Sequence, residues 1–455
     1  MIKTAKDIIL VDNELKIIDH ILNLTDWNVK VLVTVSPTQK YFNTTRIGEI
    51  YKETDFWLND NLEGIDFELL KYFSYAQLKC ENTFHREFDD FQIGKWNYYR
   101  GFAMIYNIFL RNKIDCVIIK GPNHGYTFDR LMVEMASFYK IRSYNIELHL
   151  PYGRSIYDNL NQCQLLVSSK NDAFLDKSLY YTSESGNGGW NVEFPWKYIY
   201  GTVEKYFGKL GLEIIKCIRY RNLGIRDIFG RGIIPRFFAY LKWKVIEKYY
   251  IKKSVALCDK KKFICYMMHM EPEAVVAGVP HMDSQLVALK MLSDLLPNDW
   301  MLYVKEHPDQ FKINSVNFYD FIFPASVYKS KAFYSEILKM KNVRFLRREI
   351  SSESVIKHCS GIATLNGTVA FEAIEAGKPV LVFGGDRYIY SKSKAVFNIH
   401  SYEDCRKAIY KIVSGQYFLR NDLRELALNY LVDFTDETEG YKKATLIIKD
   451  AIEHG

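Results

Sequence analysis

Short β-branched and apolar runs alternate with stretches of helical period, and this alternation constrains the fold more than any other feature of the chain. Residues 29–36 (VKVLVTVS) and 115–120 (DCVIIK) read as strands, the second preceded by a helix over 102–110. A helix begins at Thr127, with Leu131, Met135 and Phe138 spaced by four and three to form its inner face. Residues 143–150 and 163–168 read as further extended pieces. Strand, helix and strand in this order give a parallel sheet wrapped by helices.

The same order starts again at FICYMMH, just past Lys262. A helix over 283–296 carries Leu286, Leu289, Leu292 and Leu296, and 300–305 (WMLYVK) follows as a strand ending at Glu306-His307-Pro308. Residues 343–347 make a third strand, Ser351 caps a helix running to 358, and 361–365 make a fourth strand. A helix over 368–376 closes at Gly377 and leads into a strand over 380–383. Two doubly wound α/β domains in series are expected, with ligand held outside the carboxyl ends of the strands. The expected division is 1–261, 262–400 and a set of helices in 401–455.

At about 150 residues per domain, a chain of 455 residues holds two large domains or three smaller ones. With 48% hydrophobic residues, 15% aromatics and only 25 Gly and 11 Pro, disordered and simple repetitive classes are excluded. The eight cysteines form no C-x-x-C pair and read as thiols of a reducing compartment. No uncharged apolar run is long enough to span a bilayer, and residues 1–11 mix Lys3, Lys6 and Asp7 among apolar residues. A cytoplasmic protein is the expectation.

Net charge is +7, yet residues 216–262 alone carry 14 Lys or Arg against three acids, so the remainder is net acidic. Aromatics are interleaved with these cations. Two readings follow: an anionic membrane surface is the partner of 216–262, or the segment is a solvated helical connection whose aromatics pack inward. No nucleic-acid module accompanies the charge, so nucleic acid is not an expected partner.

Chemistry concentrates at two strand ends. In Asn366-Gly367-Thr368, glycine permits close backbone approach, amides at a helix start face outward and threonine adds a hydroxyl donor. Glu372, one turn on, is placed to receive ribose hydroxyls. In Lys305-Glu306-His307-Pro308, proline stops the strand and turns His307 into the loop, where its imidazole can donate to a departing phosphate while Lys305 adds charge. The bland alternatives are that Asn366 only caps a helix, Glu372 is a surface acid and His307 is structural. Further groups able to act as a general base are His124, Glu271, Glu273 and Asp283. No D-x-D triplet stands at a strand end, so no metal is expected.

The run HMEPE from His269, Asp283-Ser284-Gln285, YVKEHP and TLNGTVAFEAIEAGKPVLVFG resembles bacterial capsular polysaccharide biosynthesis proteins of the Kdo-transferase type. The resemblance covers 263–385 and extends more weakly to 114–139. It implies a GT-B-like fold and a glycosyltransferase that holds the donor phosphate in its second domain. The His-Pro pair is also similar to one in bacterial sialyltransferases, which implies a CMP-linked ulosonic or nonulosonic acid donor and a glycan or lipid-linked acceptor. Met270-Glu271 and Gly367 depart from the family's common aromatic-Gln and Ser. A CDP-polyol phosphotransferase of teichoic-acid type and a non-catalytic polysaccharide-binding or export partner stand as alternatives.

Overall fold

The computed structural model describes residues 5–34, 36, 44–84, 91–120, 127–150, 153–167, 233–258, 260–271, 282–308, 310–311, 328–385, 388–417 and 421–454. The chain is an α/β protein with two largely parallel sheets, as expected from the sequence.

The first sheet contains β1 (Asp7–Asp12), β2 (Asn28–Thr34), β3 (Ile47–Lys52), β4 (Cys116–Lys120), β5 (Arg142–Leu150), β6 (Gly153–Asp158) and β7 (Cys163–Gln164). Its order runs β6-β5-β4-β1-β2-β3, parallel from β5 to β3, with β6 antiparallel to β5. β1 was not expected. Its central place between β2 and β4 buries Ile8, Ile9, Leu10 and Val11 on both faces, so it lacks the alternation that marks a half-exposed strand. The helix Phe128–Phe138 starts where Thr127 predicted it.

The second sheet contains β8 (Ser254–Val255), β9 (Phe263–Met267), β10 (Met301–Lys305), β11 (Val343–Leu346), β12 (Gly361–Thr364), β13 (Val380–Val382) and β14 (Val396–Asn398). Every pairing is parallel and the order is β14-β13-β12-β9-β10-β11-β8. β9 shows why the fold closes on both faces: Ile264 and Tyr266 enter one core and Phe263, Cys265 and Met267 the other. The helix Val369–Glu375 ends at Gly377, whose φ of 66° is the left-handed turn expected there.

The division between domains differs from the expected one at both ends. The helix Ile233–Lys253, assigned from sequence to the first domain, inserts Trp243, Ile246 and Tyr250 into the second core, and β8 after it pairs with β11. The expected helical appendage of 401–455 is split. The helix Tyr402–Ser414 packs on Gln285–Leu295, whereas β15 (Leu431–Asp433) joins β6 of the first sheet and the helix Glu437–His454 buries Tyr441, Ala444 and Ile448 against the first core. An amphipathic helix declares that it has an apolar face but not which core receives it. No helix among the described residues is long and apolar enough to cross a membrane.

Candidate functional site

From β9 the chain moves outward on one side to β10 and β11 and on the other to β12, β13 and β14, so strand order reverses between β9 and β12. A crevice opens at the carboxyl ends of strands at such a reversal. Here it is a cavity of about 320 Å³, bordered by the ends of β9, β10 and β12.

All seven residues expected to hold nucleotide, namely Lys305, His307, Pro308, Asn366, Gly367, Thr368 and Glu372, line this one cavity. His269, Ser352 and Tyr388 complete parts of the wall. Lys305 is the last residue of β10 and only 3% exposed, and its ammonium has no hydrogen bond or ion pair among the described residues. Burial pushes its pKa below the usual lysine range. Glu306, Glu349 and Glu372 act on the ammonium only at longer range, so no carboxylate among the described residues is in contact with it. Glu372 faces the same space; burial and the nearby Glu353 push its carboxyl up, while Lys305 opposes the shift.

The loop after β12 is built differently from the expected row of open amides. The Asn366 N–H donates to His269 Nε2 at 3.1 Å, and the Gly367 N–H donates to Thr364 Oγ1 at 3.2 Å. A Cβ on residue 367 would stand 2.9 Å from Thr364 Oγ1 and 3.5 Å from His269 Nε2, so only glycine fits unshifted. Asn366 does not cap the helix: Thr368 occupies the cap position without a side-chain bond, and the buried Asn366 Oδ1 has no hydrogen-bond partner among the described residues. The loop therefore presents an unpaired acceptor and the Thr368 hydroxyl beside the unpaired Lys305 ammonium.

Beneath the cavity lies a buried polar frame that sequence reading missed. Glu306, 1% exposed, accepts from Lys329 Nζ at 2.7 Å, from the Tyr334 hydroxyl at 2.6 Å and from the His307 N–H at 2.8 Å. This holds the backbone of His307 at the cavity wall. Lys329 also donates to the His269 carbonyl. Gln285 brackets His269, accepting from its N–H at 2.9 Å and donating to its carbonyl at 3.3 Å. Gln310 does the same for Glu271, at 2.9 and 3.1 Å. The available signal was a His or Gln directly after a wholly apolar strand or at a helix start, where backbone groups of loops need partners.

Of the base candidates, the two among the described residues do not line the cavity. Glu271 is buried, its carboxyl bonded to Gln285 and pushed up by burial, and it is not among the cavity-lining residues. Asp283 pairs with Lys79, on the helix Ser74–Phe84 of the first half, at 3.0 Å. His124 and Glu273 lie outside the described residues.

No curated protein sequence matches the chain. Among solved structures, the β-Kdo 2,7-transferase KpsC of Thermosulfurimonas dismutans is 16% identical over 76% of this chain and 88% of its own, with a TM-score of 0.32. The UDP-GlcNAc 2-epimerase of Neisseria meningitidis is 13% identical over 99% and 100%, with a TM-score of 0.24. Residues 238–391, which contain every residue of the cavity wall, match the family model of the capsule polysaccharide biosynthesis proteins.

Proposed function

We propose that the cavity holds the phosphate of a nucleotide-activated sugar and that the protein is a glycosyltransferase of capsule or surface polysaccharide synthesis. The observation that carries this reading is the nearly buried Lys305 at the strand-order reversal, whose ammonium has no ion pair among the described residues, with the Thr368 hydroxyl and His307 on the same wall. A phosphate there supplies an anion in direct contact with the ammonium and accepts from the hydroxyl and imidazole. Glu372 and the unpaired Asn366 Oδ1 offer acceptors for ribose hydroxyls or a base amino group.

The donor is a CMP-linked ulosonic or nonulosonic acid, and the acceptor is a glycan or lipid-linked oligosaccharide. Transfer breaks the bond from the anomeric carbon to the phosphate oxygen and forms one to the acceptor oxygen. CMP leaves with the bonding electrons, and the acceptor's proton passes to a base or solvent. Lys305 and His307 stabilise the charge that grows on the departing phosphate. No metal ion is required by this arrangement, since lysine, imidazole and hydroxyl together supply donors to the phosphate.

The experiment is incubation with CMP-Kdo and CMP-sialic acid, and separately with CDP-glycerol, in the presence of oligosaccharide acceptors, with products weighed by mass spectrometry. The expected result is CMP release matched by an acceptor carrying one added acidic sugar. His307→Ala should lower this turnover by about 100-fold or more while the fold persists. An acceptor gaining glycerol phosphate would replace the reading with polyol-phosphate transfer. No turnover and no nucleotide binding would leave a polysaccharide-binding or export role.

A further inference from the structure

Within the basic, aromatic segment the described residues begin at Ile233, and from there the structure sorts them by face; 216–232 lie outside the described residues. On the helix Ile233–Lys253, Trp243, Ile246 and Tyr250 enter the second core, and the Tyr250 hydroxyl donates to the Leu346 carbonyl at 2.8 Å. The orientation of the helix is thereby fixed. Its outward arc carries Leu241, Val245 and Ile251, which are 44%, 60% and 51% exposed, among the exposed lysines Lys242, Lys248, Lys252 and Lys253. Leu241, Val245, Lys248 and Lys252 follow one another at four, three and four residues, a single stripe of the helix. The helix's acid over 241–253, Glu247, is turned to the side, held by Arg348 at 2.7 Å and Lys244 at 2.5 Å.

We propose that this outward face docks the protein on an anionic lipid bilayer. Lysines alone would fit any polyanion. The exposed aliphatic side chains between them favour lipid, because Leu241, Val245 and Ile251 gain by shallow burial at the boundary of headgroups and acyl chains while the lysines reach the phosphates. Exposed Lys260, Lys261 and Lys262 extend the positive surface up to the start of β9. None of the residues of this face lines the cavity. The inference is independent of which nucleotide the cavity takes.

The test is co-sedimentation of the full chain with vesicles of phosphatidylglycerol mixed with phosphatidylcholine, against phosphatidylcholine alone. Binding to the anionic vesicles only, weakened by salt, is expected. Combining Lys242→Glu, Lys248→Glu and Lys252→Glu should lower it by more than about tenfold, and Leu241→Ser with Val245→Ser should lower it in part. All five positions are exposed, so an unchanged thermal midpoint is required of both variants. Equal binding to both vesicle types, no binding, or insensitivity to the lysine changes would overturn the proposal. Full vesicle binding by the serine variant, with equal retention on a heparin column, would point instead to a soluble polyanion and would also overturn it. Nucleotide binding by the same preparations keeps failure here separate from failure at the cavity.

Discussion

The imidazole Nε2 of His269 accepts the backbone N–H of Asn366 at 3.1 Å, joining the loop after β9 to the loop after β12 across the reversal of strand order. An imidazole nitrogen that accepts is unprotonated, so this bond also selects the form of the ring. It holds the Asn366-Gly367-Thr368 backbone in place before any ligand arrives.

Removing that acceptor leaves a buried N–H without a partner. His269→Phe should destabilise the fold by about 1–3 kcal/mol and weaken nucleotide binding. His269→Gln, whose amide oxygen reaches close to the Nε2 position, should recover much of both. Urea unfolding and nucleotide titration of the two variants check this; equal loss in both would make the ring's volume, not its acceptor, the relevant property.

Lys329 and Glu306 form an ion pair at 2.7 Å with both side chains almost wholly buried. Lys329→Met strands the carboxylate, and a cost of about 3–5 kcal/mol is expected. Glu306→Gln should cost less, because its amide oxygen still accepts from the His307 N–H, its NH2 can donate to the Tyr334 hydroxyl, and Lys329 keeps the His269 carbonyl. The denaturation midpoints of the pair of variants order these costs, and the reverse order would contradict the assignment of Glu306 as the charged anchor.

Lys305 sets the alkaline limb of anion binding. Burial lowers its pKa in the free protein, and a bound phosphate raises it by adding an anion in contact. Affinity should therefore be full below the free-state pKa and fall as pH rises through it, within a window that starts below the ordinary lysine value. Above about pH 7 the phosphate itself is already dianionic, so this limb reports the lysine. Calorimetry in buffers of different ionisation enthalpy should show proton uptake on binding in the alkaline range, absent in Lys305→Met.

Much of the second sheet was legible, because its buried strands are short apolar runs bounded by turn residues and its helices carry a clear period. The wall of the cavity was legible for the same reason: Lys305, His307 and the 366–368 loop stand directly at strand ends. The frame beneath was not. Glu306, Lys329 and Gln285 act through contacts between residues far apart in the chain, and a single polar residue carries no mark of a partner 23 positions away. β1 was hidden by its burial on both faces, and the return of β15 to the first sheet by the shortness of a three-residue strand.

The most direct measurement is a thermal-shift titration with CMP on the wild-type protein and on Lys305→Met. The account predicts a midpoint that rises with CMP concentration in the wild type, more than with UMP or AMP, and stays nearly flat in the variant. A wild-type protein unmoved by any nucleotide, or a variant that responds as the wild type does, would contradict the assignment of this cavity to a nucleotide phosphate.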